Sequence, residues 1–486
     1  MASRKTMNQN TENIKSAIQL FREAAQRVPA YKDFLKQNKV NPDEVVSGKD
    51  FERVPPVDKK NYLRKYSLKD LCWDGSLNKP LVFTSTSGST GKPFYFARNE
   101  SIDLQSAMIY ESFLKQNVLK NGGTTLIIVC FGMGVWIGGL IAYESLRMSS
   151  CENNYPISIL TPGINKKEIF EALRELAPNF NQVVMIGYPP FIKDVIDESS
   201  SMGIDIKAMN IKLIFAAEIF TEKFRDYIVK KAGIKNTYLD IMHIYGSADI
   251  GTMAWETGIS TLIKKLACKD KNLFSSLFPG LENKTPTLAQ YNPRFINFEE
   301  QNGEILLTGN NVVPLVRYSI GDRGGVMSYS EVSRIFQENG YDLEKELRKA
   351  SIEGHVEKLP FVYIYERIDF ATTLYGLQIF PEMIRDSLLH DAATEFLTGK
   401  FTLLTKFDNK QNQYLEINVE LKNNAKPDSG FKRMLANKIT SDLSKKSSEF
   451  RELHAHLKKR AVPKLVFWDF NDPTYFKAGI KQKWVA

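Results

Sequence analysis

Residues 124–143 read TTLIIVCFGMGVWIGGLIAY. The run carries no charge, and a bilayer span needs only about 20 such residues. Its internal pattern argues against a span. TTLIIVC is a β-branched run of strand length, FGMG is a glycine turn, and VWIGGLIAYESLRM (135–148) has helical rhythm. No Lys/Arg asymmetry flanks it. It reads as a buried strand, a turn and a helix, and that unit sets the fold class.

The same alternation runs outward in both directions. PLVFTST (80–86), QVVMIGYP (182–189), IKLIFAAE (211–218) and TYLDIMHIYG (237–246) are short apolar runs that end in small or polar residues. Helical periodicity lies between them, as in KEIFEALRELA (167–177) and TEKFRDYIVKKAG (221–233). Strand–helix alternation predicts parallel sheets covered by helices, with a ligand site at the carboxyl ends of the strands. Upstream, residues 11–71 are polar and helical, broken at Val54-Pro55-Pro56. Downstream, GEILLTGNNVVPLVRYSIGDRGGV (303–326) reads as β-hairpins in a smaller unit, followed by a polar helical stretch from Ser328 to Glu357. Beyond a junction near Arg367 to Phe370 comes a small α+β segment. It comprises a helix at PEMIRDSLL (381–389), strands at FTLLTKF (401–407) and YLEINVELK (414–422), and one helix over 430–457. The expected class is α/β: a large N-terminal domain of parallel sheets plus a β-rich subdomain, with a small mobile C-terminal domain. A chain of 486 residues suits two domains.

Bulk properties exclude several classes. Apolar residues at 43% and charged residues at 25% are those of a globular chain. The net charge of +9 suits anionic ligands such as nucleotides, but Lys and Arg are interspersed with Asp and Glu, so nucleic acid is not expected. Cys72, Cys130, Cys151 and Cys268 form no C-x-x-C pair, so neither a zinc site nor a disulfide framework is expected. The N-terminal MASRKTMNQN has no apolar stretch behind it. A cytoplasmic protein without signal peptide or membrane span is the expectation. His243, His355, His390, His454 and His456 lack metal-ligand spacing, and no G-x-S-x-G elbow occurs.

Ser85–Pro93, STSGSTGKP, packs hydroxyls, glycines and a lysine behind an apolar run. A kinase or GTPase phosphate loop needs G-x-x-x-x-G-K-[ST]; Thr86 stands at the first position and Pro93 at the last, so that reading fails. Pro93 also disfavours a helix starting at Lys92. What remains is a loop whose hydroxyls, N–H groups and lysine suit phosphate oxygens. Gly132, Gly134 and Gly138 approach a dinucleotide fingerprint but depart from G-x-G-x-x-G, and no acidic residue closes a second strand.

In order along the chain, FREAAQRVPAYKDFLKQNKV, FERVPPVDKKNYLRKY, TSTSGSTGKP, FGMGVWIGGL, FAAEIFTEKFR, IYGSADIG, VRYSIGDRGG, ERIDFATTLYGLQIFPEMI and FKAGIKQKWV resemble the motifs of the adenylate-forming (acyl-activating) superfamily, in its phenylacetate–CoA ligase-like branch. The resemblance implies a 1–368 adenylation domain holding ATP and acyl site, and a 369–486 lid carrying a catalytic lysine. Such enzymes join a carboxylic acid to ATP as acyl-AMP, release pyrophosphate, and pass the acyl group to a thiol. The implied cofactors are ATP, Mg2+ and coenzyme A or the phosphopantetheine of an acyl carrier protein. Thr86, Ser87, Gly88, Ser89, Thr90, Gly91 and Lys92 would hold the β- and γ-phosphates. Ala217, Glu218, Tyr245 and Gly246 would flank the adenine, with Ser247 beside the phosphates. Asp322 would take the ribose hydroxyls, with Arg367 nearby. Asp369 would be the hinge, Lys481 would bridge carboxylate and nucleotide, and Asp249 would hold the metal. Phe131, Trp136, Tyr188 and Ala216 would form the acyl pocket, and Gly376 the thiol tunnel.

The departures are Ala248-Asp249 in place of the usual Ser/Thr-Glu pair, Glu366 in place of glycine before the hinge arginine, and extra stretches at 262–282 and 328–357. They keep two other readings open: an enzyme delivering the acyl group to a carrier protein or amine without coenzyme A, and a degenerate nucleotide-binding scaffold.

Overall fold

The computed structural model describes residues 2–85, 94–116, 123–281, 285–367, 372–388 and 391–476, with side chains from Ile14 onward apart from Glu366, Arg367, Glu382 and Asp391. The expected phosphate-loop residues Thr86–Lys92, the hinge Asp369 and Lys481 lie outside them.

The strands in chain order are β1 (Val82–Ser85), β2 (Tyr95–Arg98), β3 (Thr125–Cys130), β4 (Ile157–Leu160), β5 (Gln182–Gly187), β6 (Ile211–Ala216) and β7 (Ile241–Ser247). There follow β8 (Gly251–Trp255), β9 (Thr287–Gln290), β10 (Ile296–Gln301), β11 (Glu304–Gly309), β12 (Leu315–Met327) and β13 (Phe361–Arg367). The last are β14 (Thr372–Leu374), β15 (Leu377–Ile379), β16 (Leu397–Phe407), β17 (Gln413–Leu421) and β18 (Lys464–Trp468). Among the described residues, one sheet takes eleven of them in the order β10-β11-β12-β13-β9-β8-β7-β6-β5-β3-β4.

The 124–143 run folds as read: β3, a turn, then the helix Ile137–Asn153. Among the described residues no helix is long and apolar enough to cross a membrane. β4, β3, β5, β6 and β7 run parallel. Their continuous apolar character follows from burial on both faces. Along β3, Leu126 and Ile128 pack toward Phe170 and Phe191, while Ile127 and Val129 pack toward Tyr110, Phe113 and Leu146 on the opposite face. Direction reverses at β8, antiparallel to β7 across the turn Ser247–Gly251.

Three features differ from the sequence reading. The PLVFTST strand does not join the parallel sheet; β1 and β2 form a separate antiparallel hairpin. The hairpins β10–β12 continue the large sheet through β13 and β9 instead of standing apart. The predicted 430–457 helix is two, Ser429–Lys446 and Ser448–Leu457, because Ser447 adopts extended φ −131, ψ 117 and its side chain caps the second helix at the Phe450 N–H. The extra stretches 262–282 and 328–357 pack together through Leu262, Phe278, Val332 and Phe336.

Four buried charges pin the reversal at β8. Arg225 reaches Glu256 at 2.5 Å and Glu222 at 2.9 Å; Lys264 lies 3.0 Å from Glu256 and 3.1 Å from Glu222. Burial alone would raise the Glu256 carboxyl, but Arg225 and Lys264 hold it down to about 2. Two cations against two anions leave the cluster neutral, which makes its burial tolerable. Glu256→Ala leaves two cations against Glu222 alone, one buried positive charge uncompensated, and is expected to cost about 3–5 kcal/mol, read as a lower urea midpoint at unchanged slope. A loss below about 1 kcal/mol would mean the cluster relaxes toward water.

Candidate active site

A cavity of about 510 Å³ opens at the carboxyl ends of β3, β5, β6 and β7, where a parallel sheet is expected to bind its ligand. All four expected acyl-pocket residues line it: Phe131, Trp136, Tyr188 and Ala216. Phe131 meets Tyr188 edge to face at 4.8 Å between centroids. The FGMG turn is held tightly. A Cβ on Gly132 would come within 2.7 Å of the Trp136 ring, and one on Gly139 within 2.7 Å of the Gly132 carbonyl oxygen. The Ser85 N–H donates to the Val135 carbonyl at 2.9 Å, so the end of β1, where STSGSTGKP begins, is anchored beside this aromatic wall.

The opposite wall is polar and comes from the β7–β8 turn, with Gly246, Ser247, Ala248 and Asp249 lining it. Gly251 closes the turn at φ +86, a left-handed value that suits glycine. Ala217, after β6, also lines the cavity and sits at φ +74 without being glycine. Such strain persists where the surroundings over-determine the backbone, often at functional sites.

Strand β12 fixes the acidic residues. Tyr318 and Asp322 are both buried on this strand, either side of Gly321 at φ +85. The Tyr318 hydroxyl donates to Asp249 at 2.6 Å, and Asp322 accepts the Tyr245 hydroxyl at 2.5 Å. Asp249 and Asp322 are both buried. Tyr245 also lies nearly parallel to Phe298, centroids 6.2 Å apart. Arg367 pairs with Asp322 in the β12–β13 register.

Sequence reasoning missed a third wall. Val57 bridges to β12: Ser319 N–H donates to its carbonyl at 2.8 Å, and its own N–H donates to the Arg317 carbonyl at 3.2 Å. That attachment carries the Lys59–Leu63 helical turn to the cavity, where Lys59, Lys60 and Arg64 line it. Lys59 lies 3.1 Å from Asp249. The signal available was DKKNYLR after a double proline, a basic cluster that reads as a solvated helix face until β12 draws it inward.

The remaining wall comes from beyond β13. Gly376, Gln378, Phe380 and Glu449 line the cavity alongside the residues of the large sheet. Gly376 has φ +82 at the β14–β15 turn, and its α-carbon faces the Tyr188 ring so closely that any Cβ would collide. Glu218, expected along the adenine, directs its side chain to the segments beyond β13. Its carboxylate accepts the Gly376 N–H and, at 2.6 Å, the Gln413 side-chain amide. Burial raises this carboxyl to about 7 despite those two donors. Asp194 binds the same segment. It accepts from Arg460 at 2.7 Å and from the Tyr375 hydroxyl at 3.2 Å, and Arg460 also donates to that hydroxyl at 2.8 Å.

The donor set suits magnesium in one mode only. Among the described residues no cluster of three or more His, Cys, Asp or Glu is able to cage a metal. Asp249 is a single carboxylate, one oxygen of which already serves Tyr318 and Lys59. Magnesium bound by one or two carboxylates plus substrate phosphates needs no more. A sugar hydroxyl pair fits Asp322, a strong charged acceptor beside Tyr245. The stretches 262–282 and 328–357 contribute none of the cavity's lining among the described residues.

No protein-family model matches the sequence, and no curated protein matches it by sequence. Solved structures do. The chain superposes on 2-hydroxyisobutyryl-CoA ligase in complex with 2-HIB-AMP and CoA in the thioesterification state with a TM-score of 0.63, at 14% identity over 99% of this chain and 90% of that one. The same ligase in the postadenylation state with 2-HIB-AMP gives 0.52 at 14% identity over 98% and 88%. An open conformation with 2-HIB-AMP and CoA gives 0.50 at 15% identity over 98% and 90%. The chain has the fold of this adenylate-forming ligase along nearly its whole length.

Proposed function

We propose that the chain is an AMP-forming acid–thiol ligase. It activates a small or medium carboxylic acid, aromatic in keeping with Phe131, Trp136 and Tyr188, as acyl-AMP, and passes the acyl group to coenzyme A or a carrier-protein phosphopantetheine. The observation that carries this reading is the composition of one cavity. An aromatic wall, a Ser247–Asp249 polar turn and Gly376 from beyond β13 all line the same space. The shared fold with a ligase whose structures contain an acyl-AMP and CoA supports it.

In this reading residues 1–368 form the adenylation unit and 369–486 a lid. The acid lies against the aromatic wall with its carboxylate toward Ser247. One carboxylate oxygen attacks the α-phosphorus, the bond to the β-phosphate oxygen breaks, and pyrophosphate leaves. Negative charge grows around phosphorus, so cations placed beforehand lower the barrier. Thr86–Lys92 hold the departing phosphates, Lys59 and Lys481 add positive charge, and Asp249 would hold Mg2+, which supplies Lewis-acid charge neutralisation when bound. Asp322 takes the ribose hydroxyls beside Tyr245 and Arg367, and Ala217 with Gly246 borders the adenine. With the lid turned about Asp369, a thiolate enters past Gly376, attacks the acyl carbon and expels AMP. The higher TM-score with the thioesterification state than with the postadenylation state of one and the same ligase is in keeping with a lid docked for this second step.

The deciding experiment is carboxylate-dependent pyrophosphate release from ATP across an acid panel, with and without coenzyme A. If no acid in the panel gives release while ATP still binds, the nucleotide-binding scaffold reading is the one left. Lys481→Ala is expected to abolish most pyrophosphate release with an unchanged melting curve, and unchanged release would remove Lys481 from the site. Asp322→Asn loses a charged acceptor and is expected to weaken ATP binding about tenfold or more, read as KM for ATP.

Gly376→Ala should retain pyrophosphate release and lose thioester formation, because the new methyl meets Tyr188. Equal loss of both steps would place Gly376 outside the thiol path. Docking also gains a pH dependence. Glu218 titrates near 4.5 in water and at about 7 when docked. Docking therefore takes up a proton between these values. This contribution favours docking below 4.5 and is lost as pH rises through about 7. A distance probe between the two units should report more docking at pH 6 than at pH 8, and Glu218→Gln should flatten that change.

A further inference from the structure

The break at Ser447 has a chemical result. It starts the Ser448–Leu457 helix with Phe450 fully buried in the core shared by the sheet and the lid. Glu449, the residue before, faces the cavity and lines it. Trp136 lines the same cavity, and its side chain, whose one donor is the indole N–H, lowers the Glu449 carboxyl. A carboxyl carried by the lid is thus seated on the aromatic wall supplied by the large sheet.

Among the described residues no cation offsets its charge. The acidic neighbour Glu452 lies one helical turn on, and together with burial it raises the Glu449 carboxyl to about 7 against the lowering by Trp136. Glu449, Glu218 and Glu452 all raise the nearby Tyr188 hydroxyl further, after burial as the largest cause. Among the described residues the cations lining the cavity are Lys59, Lys60 and Arg64, and Lys59 pairs with Asp249. One indole N–H leaves most of a carboxylate's capacity unused, since two oxygens offer about four acceptor sites. An apolar group pressed against it would strip its water without replacing a hydrogen bond, which is unfavourable. A hydroxyl or ammonium would fill the position.

Resting on the ligase reading above, we propose that Glu449 is a specificity-determining residue: the cavity takes acids whose acyl group carries a hydrogen-bond donor, and the lid supplies the acceptor that recognises it. Because the acceptor belongs to the lid, recognition is complete only when the lid is docked.

The test uses three aromatic carboxylic acids of matched length, one unsubstituted, one hydroxylated and one bearing an aminomethyl group. Their binding to the full chain is measured by calorimetry, which needs no turnover. At least one donor-bearing acid should bind about tenfold or more tighter than the unsubstituted acid, the worth of a hydrogen bond to a charged group. Glu449→Leu should erase or invert that ratio while thermal melting confirms the fold. Glu449→Gln separates the sources: it keeps a preference for hydroxyl and loses one for ammonium. A ratio unchanged in Glu449→Leu, or no donor preference in the unaltered chain, overturns the proposal. Failure of pyrophosphate release with a Glu449-dependent donor preference intact would count against the ligase reading alone.

Discussion

Asp194 is the residue on which the enclosed site depends. It is 2% exposed, on the helix Pro189–Ser199 that follows β5, and its carboxylate faces Arg460 and Tyr375 from the far side of the seam. A buried carboxylate without a counter-charge is strongly unfavourable. Burial raises Asp194 even with Arg460, Lys166 and Lys193 around it. The arrangement that satisfies it brings the β14–β15 turn down onto Tyr188. Once that turn is down, Gly376, Gln378, Phe380 and Glu449 become walls of the cavity. Apolar packing adds to the charge pairing: Phe191 and Phe215 belong to the same core as Leu374, Ile417 and Phe450.

The polar half of the cavity rests on a second long-range device. Strand β12 holds Asp249 through Tyr318, and Asp322 bonds Tyr245 of β7, a strand four places away in the sheet order. The same strand grips the N-terminal segment: the Arg317 guanidinium donates to the Glu52 carbonyl at 2.6 Å and lies 3.3 Å from Glu299. Arg317 itself has φ +47. A strained arginine that clamps the N-terminal segment explains how a short turn bearing Lys59 is delivered to a buried aspartate. Local propensity alone would leave DKKNYLR on the surface.

Glu218 joins the two halves. Its main chain follows β6 at the cavity edge and supports His243, whose imidazole burial lowers to about 4. Its side chain accepts from Gly376 and Gln413, beyond β13. A residue expected only as a nucleotide neighbour therefore ties β6 to the segments beyond β13.

Much of the fold was legible from pattern. The apolar runs β3, β5, β6 and β7 announced parallel strands because burial on both faces leaves little room for polar residues, and the helices between them carried their own periodicity. That Phe131, Trp136, Tyr188 and Ala216 gather in one cavity was legible too, since Phe131, Tyr188 and Ala216 stand at strand ends and Trp136 closes the turn after β3. Separating the β1–β2 hairpin from that sheet was not, because a short apolar run looks the same in either setting. The extent of the final helix was not, because Ser447 is tolerable inside a helix and becomes a cap only when Phe450 finds a core. Lys59 and Glu449 were invisible for a common reason. Charged side chains on short helical turns are ordinary surface features, and nothing local distinguishes the few that face inward. The sequence by itself determined the layered α/β architecture and one end of the site, through hydrophobic period and strand-end chemistry. Only the tertiary structure decided which charges meet there, because Asp249 with Lys59, Glu218 with Gly376, and Glu449 with Trp136 are brought together by the packing of distant segments.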